Sequence, residues 1–463
     1  MDHTRCAALH NYLVDYRLAV EDDLDPAVNR EDTFMSTHGA AASGIISRLH
    51  PSVAAFLAAA RTPTFPFFYF AHSFPNTAAD NDLDGLFDND LASLYSEPED
   101  SLLRLYLPVI ESGGESGGGL IYHQGRHVAA FFMHIDDMSY ALPVDEHPTN
   151  WHPLETVLSN WVELIRLGKV IASPAPAGLY GSEKVGPWEW RPYGDGQVAA
   201  CVAAWDRLCG AIEERQGQGT VMVDDDDDDR HEPLLTPVAL DTANIPNPSF
   251  ARDFLRLARR PPRICSIAPG FSLPPADGPS FAAAQPYARL LQPGDNSTGT
   301  QQDPVVVPPV YIFFSGASDE PVDVTGWRTS FRGRLDVDDD DEAARILPSS
   351  APAGVYTEGV ARGRELDCAE EGFRLLLPFA IAARKSDGSE VDSDVVDGLF
   401  QHGYKPFGGA YHRPQRLERL LDHWAGLVRR GVWAVGPRGV EGGLDVFRHS
   451  TVDGTDYVIP PSW

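Results

Sequence analysis

The sequence predicts an α+β fold made of two related lobes, each a small, mostly antiparallel sheet covered by amphipathic helices. Three observations carry this expectation. Helix-like and strand-like stretches alternate irregularly, without the steady βα rhythm of a doubly wound sheet. Apolar residues recur at three- and four-residue spacing in some stretches and in short continuous runs in others. Three blocks recur in the same order in the two halves: "PSVAAFLAAARTP" from Pro51 with "PSFARDFLRLARRPP" from Pro248, "LRLYLPV" from Leu103 with "FRLLLPF" from Phe373, and "LETVLSNWVELIRLGKV" from Leu154 with "LERLLDHWAGLVRRGVW" from Leu417.

Residues 1–39 read as an N-terminal helical segment. Leucines and valines in "MDHTRCAALHNYLVDYRLAVEDD" fall at helical spacing, and the stretch lacks the basic start and unbroken apolar run of a secretory signal. The first lobe, 40–215, follows with a helix from Pro51, apolar strands from Phe65 and Leu102, and a hairpin in "GGLIYHQGRHVAAFFMHI" from Gly118. Gly125-Arg126 suits a two-residue type II′ turn there.

The third block then supplies a helix with Leu154, Val157, Leu158, Trp161, Leu164 and Ile165 on one face. Gly168 is placed to stop it in the left-handed conformation. The echo at Leu417 repeats the pattern with Trp424 and Gly431. Both tryptophans are expected to be core anchors, because a large aromatic on the apolar face of a helix is usually packed.

Between the halves, 216–247 is an acidic linker carrying six consecutive aspartates from Asp224. The second lobe, 248–463, holds a Pro/Gly-rich insertion near 273–309 and an acidic loop near 336–354, with an apolar strand from Val310 between them.

Composition narrows the partners. The 463 residues carry a formal net charge of −30. Nucleic-acid backbones and anionic membrane surfaces are bound mainly through Lys and Arg, so this balance disfavours both. No apolar run approaches the roughly 20 residues of a spanning helix. Cys6, Cys201, Cys209, Cys265 and Cys368 are scattered and include no CxxC pair. They read as free thiols in a reducing compartment, which points to a cytoplasmic or nuclear location.

Among motifs, "DNDLDGLFDNDL" opens like a calcium loop. Asp80, Asp82 and Asp84 alternate, Gly85 permits the bend, and Asp88 falls at the ninth ligand position. Leu91 stands where an EF-hand needs a bidentate glutamate, so calcium binding would require a looser loop. His123 and His127 have metal-ligand spacing for a helix, but the hairpin sends them to opposite faces of a sheet. His72, His134, His402 and His412 would have to converge through the fold. No GxSxG elbow or P-loop is present.

"GPWEWRPYGDG" clusters Trp188, Trp190, Arg191 and Tyr193 in a Gly/Pro-flanked stretch, a composition that resembles binding hot spots. These observations favour a soluble intracellular interaction, scaffold or regulatory module that attracts a basic protein or peptide through its acidic runs. Two alternatives stand beside it: an enzyme of unknown reaction class with its site in a cleft between the lobes, and a calcium-responsive binder. A deep pocket of titratable groups would mark the enzyme, and solvent-accessible Trp188 and Trp190 the interaction module.

Overall fold

A computed structural model describes residues 1–20, 32–62, 66–75, 83–109, 118–133, 135–176, 183–217, 232–287, 306–316, 321–325, 329, 331, 347–361, 369–409, 413–451 and 454–463. Among these residues the chain is mixed α+β, with ten α-helices and five sheets. It divides into two units. Unit 1 comprises Met1–Arg191, Gly403–His412 and Pro461–Trp463; unit 2 comprises Pro192–His402 and Arg413–Pro460. No helix among the described residues is long and apolar enough to cross a membrane.

Unit 1 begins with α1 (His3–Leu18), whose first turn is closed by the Asp2 carboxylate accepting from the Arg5 N–H at 3.0 Å. Cys6, His10, Leu13, Val14 and Arg17 recur at helical spacing and form its buried face. The helices α2 (Phe34–Ile45) and α3 (Pro51–Ala59) follow, the latter starting on a proline whose missing N–H costs nothing in a first turn.

Residues 66–73 then fold into a tight hairpin, closed by Phe67 N–H to His72 O at 2.7 Å and Phe68 N–H to Ala71 O at 2.9 Å. Its second arm pairs with the chain beyond β1, where His72 N–H donates to Leu107 O at 2.8 Å and Ala71 bridges Pro108. The short α4 (Asn89–Leu94) precedes β1 (Leu102–Tyr106), β2 (Gly119–His123) and β3 (Val128–Phe132), an antiparallel meander in sequence order.

After β3 comes α5 (Leu154–Arg166), then β4 (Val170–Ala172), β5 (Glu183–Val185) and β6 (Trp188–Trp190), with β6 between the other two. The stripe of α5 is buried as its periodicity requires, and Gly168 stops the helix at φ +69°. Trp161 is fully buried and stacks on Phe68 at 5.1 Å.

Unit 2 opens with the long α6 (Asp195–Gln216), followed by α7 (Pro237–Thr242) and α8 (Phe250–Leu257). A helix at 237–242 shows that the C-terminal part of the expected linker is folded; the aspartate run from Asp224 lies outside the described residues. The hairpin β7 (Ser266–Ala268) and β8 (Phe271–Ser272) comes next, then α9 (Gly278–Ala283) within the expected insertion.

The remaining elements are β9 (Val306–Val307), β10 (Tyr311–Ser315), β11 (Val322–Asp323), β12 (Ser350–Ala351), β13 (Gly354–Thr357), β14 (Val360–Ala361), β15 (Phe373–Leu376), α10 (Leu417–Arg430), β16 (Val435–Gly436) and β17 (Gly439–Val440). One sheet runs β15-β13-β10-β8-β7-β17-β16, antiparallel except where β17 meets β7. Two-stranded pairs β11-β12 and β14-β9 complete the unit. Helix α10 stops at Gly431 with φ +75°, and its Trp424 is fully buried, stacked on Phe271 at 6.2 Å. Among the described residues, α6 and α10 form the most extensive packing between two elements.

The second sequence echo does not map onto equivalent strands. β1 is separated from α5 by β2 and β3, whereas β15 leads directly toward α10 as the edge of its sheet. Arginine at the second position and a closing proline are strand chemistry that two different strands share. The hairpin register follows the sequence, with His123 opposite Val128. Its turn does not: four residues, 124–127, connect the strands, and the left-handed position falls on His127 at φ +59° rather than on Gly125.

Candidate functional site

The aromatic stretch at Gly186 is core, not surface. Trp188 and Trp190 lie on β6, the central strand of its sheet, and both are fully buried. The Trp188 indole N–H donates to Pro66 O at 3.1 Å, and its ring meets Phe68 at 5.1 Å and Tyr16 at 6.1 Å. Trp190 packs among Tyr69, Phe70 and Trp463, with the Lys169 ammonium 5.1 Å from its ring. Arg191 is half-buried, its Nε 3.3 Å from Glu189. Tyr193 belongs to unit 2, where its hydroxyl donates to Asp253 at 3.0 Å. The solvent-accessible tryptophan pair expected of an interaction surface is therefore not there: a half-buried strand would leave one face wet, but β6 has strands on both edges and aromatic rings against it.

The acidic loop is only partly described, since Asp80 and Asp82 lie outside the described residues. Asp84 and Asp88 turn to different arginines rather than to a common point. Asp84 pairs with Arg48, which also grips Asp100 in a two-pronged contact at 2.6 and 3.0 Å. The hydrogen-bonded Arg48 guanidinium holds the Asp100 carboxyl below its ordinary range, against the opposing effect of burial, and lies 3.8 Å over the Phe87 ring. Asp88 bonds Arg104 at 2.6 Å and caps α4 by accepting from Leu91 N–H at 3.2 Å.

Two of the described histidines, His50 and His127, meet edge to face at 4.3 Å. His123 accepts at Nδ1 from Arg126 N–H at 3.2 Å, so its Nε2 carries the proton facing Glu97 at 3.2 Å. His127 reaches the Tyr122 hydroxyl at 2.9 Å, and burial lowers its pKa. His134 and His412 are outside the described residues. Among the described residues no three His, Cys, Asp or Glu side chains are grouped as metal ligands would be. Burial also pushes the thiols of Cys6, Cys201 and Cys209 up, away from the thiolate a nucleophile needs.

Among the described residues a buried polar assembly lies in unit 2 and was not anticipated from sequence. It gathers where β13 and β15 meet the start of α10. Arg374 donates to the fully buried Glu358 at 2.8 Å. Gln401 donates to Phe373 O at 3.1 Å and accepts from Gln415 N–H at 3.0 Å, while the Gln415 amide donates to His402 Nδ1 at 3.2 Å.

The adjacent glutamates serve two helix starts. The Glu370 carboxylate accepts from Phe250 N–H at 3.1 Å at the head of α8, and Glu371 O accepts from Leu417 N–H at 2.8 Å at the head of α10. A narrow crevice beside them is bounded by Gln197, Cys201, Phe250, Glu371, Arg416 and Glu418, and it has no room for a water molecule. Gln197 accepts from Gly194 N–H at 2.7 Å through its oxygen, while its amide nitrogen is buried without a hydrogen-bond partner. These hydrogen bonds, which leave out the Gln197 amide nitrogen, pair buried donors with acceptors and fix strand and helix ends. The only sequence signal was the density of Glu, Gln, His and Arg in 370–374 and 401–418, which reads equally well as a solvated loop.

No family model, no curated protein and no solved structure matches this chain.

Proposed function

We propose that the chain is an intracellular, cytoplasmic or nuclear interaction module that engages a basic protein or peptide through its acidic runs. The observation that carries this reading is the net charge of −30, gathered into runs such as Asp224–Asp229 and Asp338–Glu342. Many arginines of the described residues are already committed to carboxylates. Arg126 holds Asp145, Arg207 holds Asp422 and Arg259 holds Glu213, each through two contacts. The charge left over to act at a distance is negative, and such a field raises encounter rates with cations while repelling polyanions.

A duplicated architecture fits the same reading, in that two like lobes would present the acidic segments from a repeated frame. Support comes from a shared order of elements. In each unit a helix, α3 or α8, precedes a tight hairpin, three mutually antiparallel strands (β1, β2, β3 or β10, β13, β15) and a tryptophan helix, with α4 inserted in the first series and α9, β9, β11, β12 and β14 in the second. Each tryptophan stacks on a hairpin phenylalanine. A left-handed glycine then approaches the first hairpin arm, Gly186 toward Pro66 and Gly439 toward Ser266.

The test is capture on an immobilised lysine-rich peptide, comparing the wild-type chain with a variant in which Asp224–Asp229 are all changed to Asn. Retention of the first and loss of the second supports the reading; equal retention refutes it.

A further inference from the structure

Residues 403–409 stand between β15 and α10 in the chain, yet they belong to unit 1. Unit 2 holds the chain on both sides of them. His402 O accepts from Ser386 Oγ at 2.5 Å and from Asp387 N–H at 3.2 Å, and Pro414 lies so close to Gly372 that a Cβ there would meet it at 2.4 Å. Within unit 1 the segment adds to the core. Tyr404 donates to Phe131 O at 3.0 Å, Phe131 N–H donates to Pro406 O at 2.9 Å, and Trp161 donates to Phe407 O at 2.7 Å. Phe407 is buried against His152 at 4.9 Å. Gly408 adopts φ +105°, where a Cβ would strike the Phe70 ring at 2.9 Å.

We propose that residues 403–409 are a strap: an intramolecular ligand of unit 1 that unit 2 presents by holding its two ends, so that loss of unit 2 structure loosens unit 1. While both ends are fixed, the segment meets its groove at a high effective concentration. Once unit 2 opens, the same residues become part of a long flexible loop, and closing that loop costs more entropy. Linkage makes the coupling reciprocal. This inference is independent of the partner proposed above.

The experiment is hydrogen exchange on the full chain, followed at the Phe131 amide of unit 1 and at β13 amides of unit 2. Trp424→Ala opens a cavity in unit 2 without touching the strap. It is expected to raise exchange at Phe131 by about tenfold or more together with that of β13. A synthetic peptide of residues 402–409 is expected to restore protection at Phe131 alone. Unchanged exchange at Phe131 while β13 opens, or no rescue by the peptide, overturns the proposal. Should Trp424→Ala fail to fold, wild-type protein in rising urea gives the same reading. Convergence of Phe131 and β13 exchange supports the strap, and loss of unit 2 protection with Phe131 unchanged contradicts it.

Discussion

The Trp161 indole N–H donates to the Phe407 carbonyl at 2.7 Å, across 246 residues of sequence. Trp424, equally buried in the similar sequence stretch of α10, has no hydrogen-bond partner for its indole nitrogen. Two helices with the same stripe thus anchor their tryptophans differently, one by packing and a bond, the other by packing alone.

Replacing these residues should expose the difference. Trp161→Phe removes ring volume and strands a buried carbonyl, so a loss of about 2–4 kcal/mol is expected in urea denaturation. Trp424→Phe also loses volume but removes an unsatisfied donor, and should cost less by about 1–2 kcal/mol. Equal losses would contradict the assignment.

His10 sets a pH dependence. It is fully buried, stacked between Phe67 at 4.6 Å and Phe74 at 5.1 Å, with Nε2 donating to Arg61 O at 2.7 Å and Nδ1 accepting from Tyr106 at 2.8 Å. Burial holds its pKa down to about 4, against 6.5 for an ordinary histidine. A depressed histidine pKa means the unfolded chain binds the proton first. The contribution is complete above pH 6.5 and is lost as pH falls through 4. Over that window His10 should account for about 3 kcal/mol of falling stability. In His10→Gln the slope between pH 6.5 and 4 should be shallower by that amount, as read by denaturation at fixed pH values.

The Glu358 and Arg374 pair tests what the buried polar assembly of unit 2 is for. Arg374→Met leaves the Glu358 carboxylate without its arginine and should cost about 3–5 kcal/mol. Adding Glu358→Leu should recover much of that loss, since removing both charges also removes their desolvation cost. A double variant as unstable as the single one would show that either residue has a further role.

Asp88 bears on the acidic loop. Asp88→Ala loses both the α4 cap and the Arg104 pair and is expected to cost about 1–3 kcal/mol, whereas Asp88→Asn keeps the cap and should cost less. The melting temperatures of the two variants give the comparison directly.

Much of the helical frame was legible because its signal is local. The stripes of α5 and α10 and their glycine stops, Gly168 and Gly431, need only 3.6-residue periodicity and one left-handed residue each. The β2–β3 register was legible for the same reason. What the sequence could not convey depends on distant neighbours. Trp188 and Trp190 look like a binding loop until Pro66, Phe68 and Tyr69 are placed against them. The polar assembly joins residues from Gln197 to Glu418, each of which alone reads as surface. The strap at 403–409 carries no sign in its own residues that its partners lie near Phe131 and Trp161.

The measurement that bears most directly on the proposed function is the salt dependence of association with a lysine-rich peptide. An acidic module should bind with a rate constant that falls steeply between 50 and 300 mM salt, roughly tenfold or more, and the Asp224–Asp229→Asn variant should be slower and less steeply salt-dependent. Association that is insensitive to salt, or unchanged in the variant, would contradict the account.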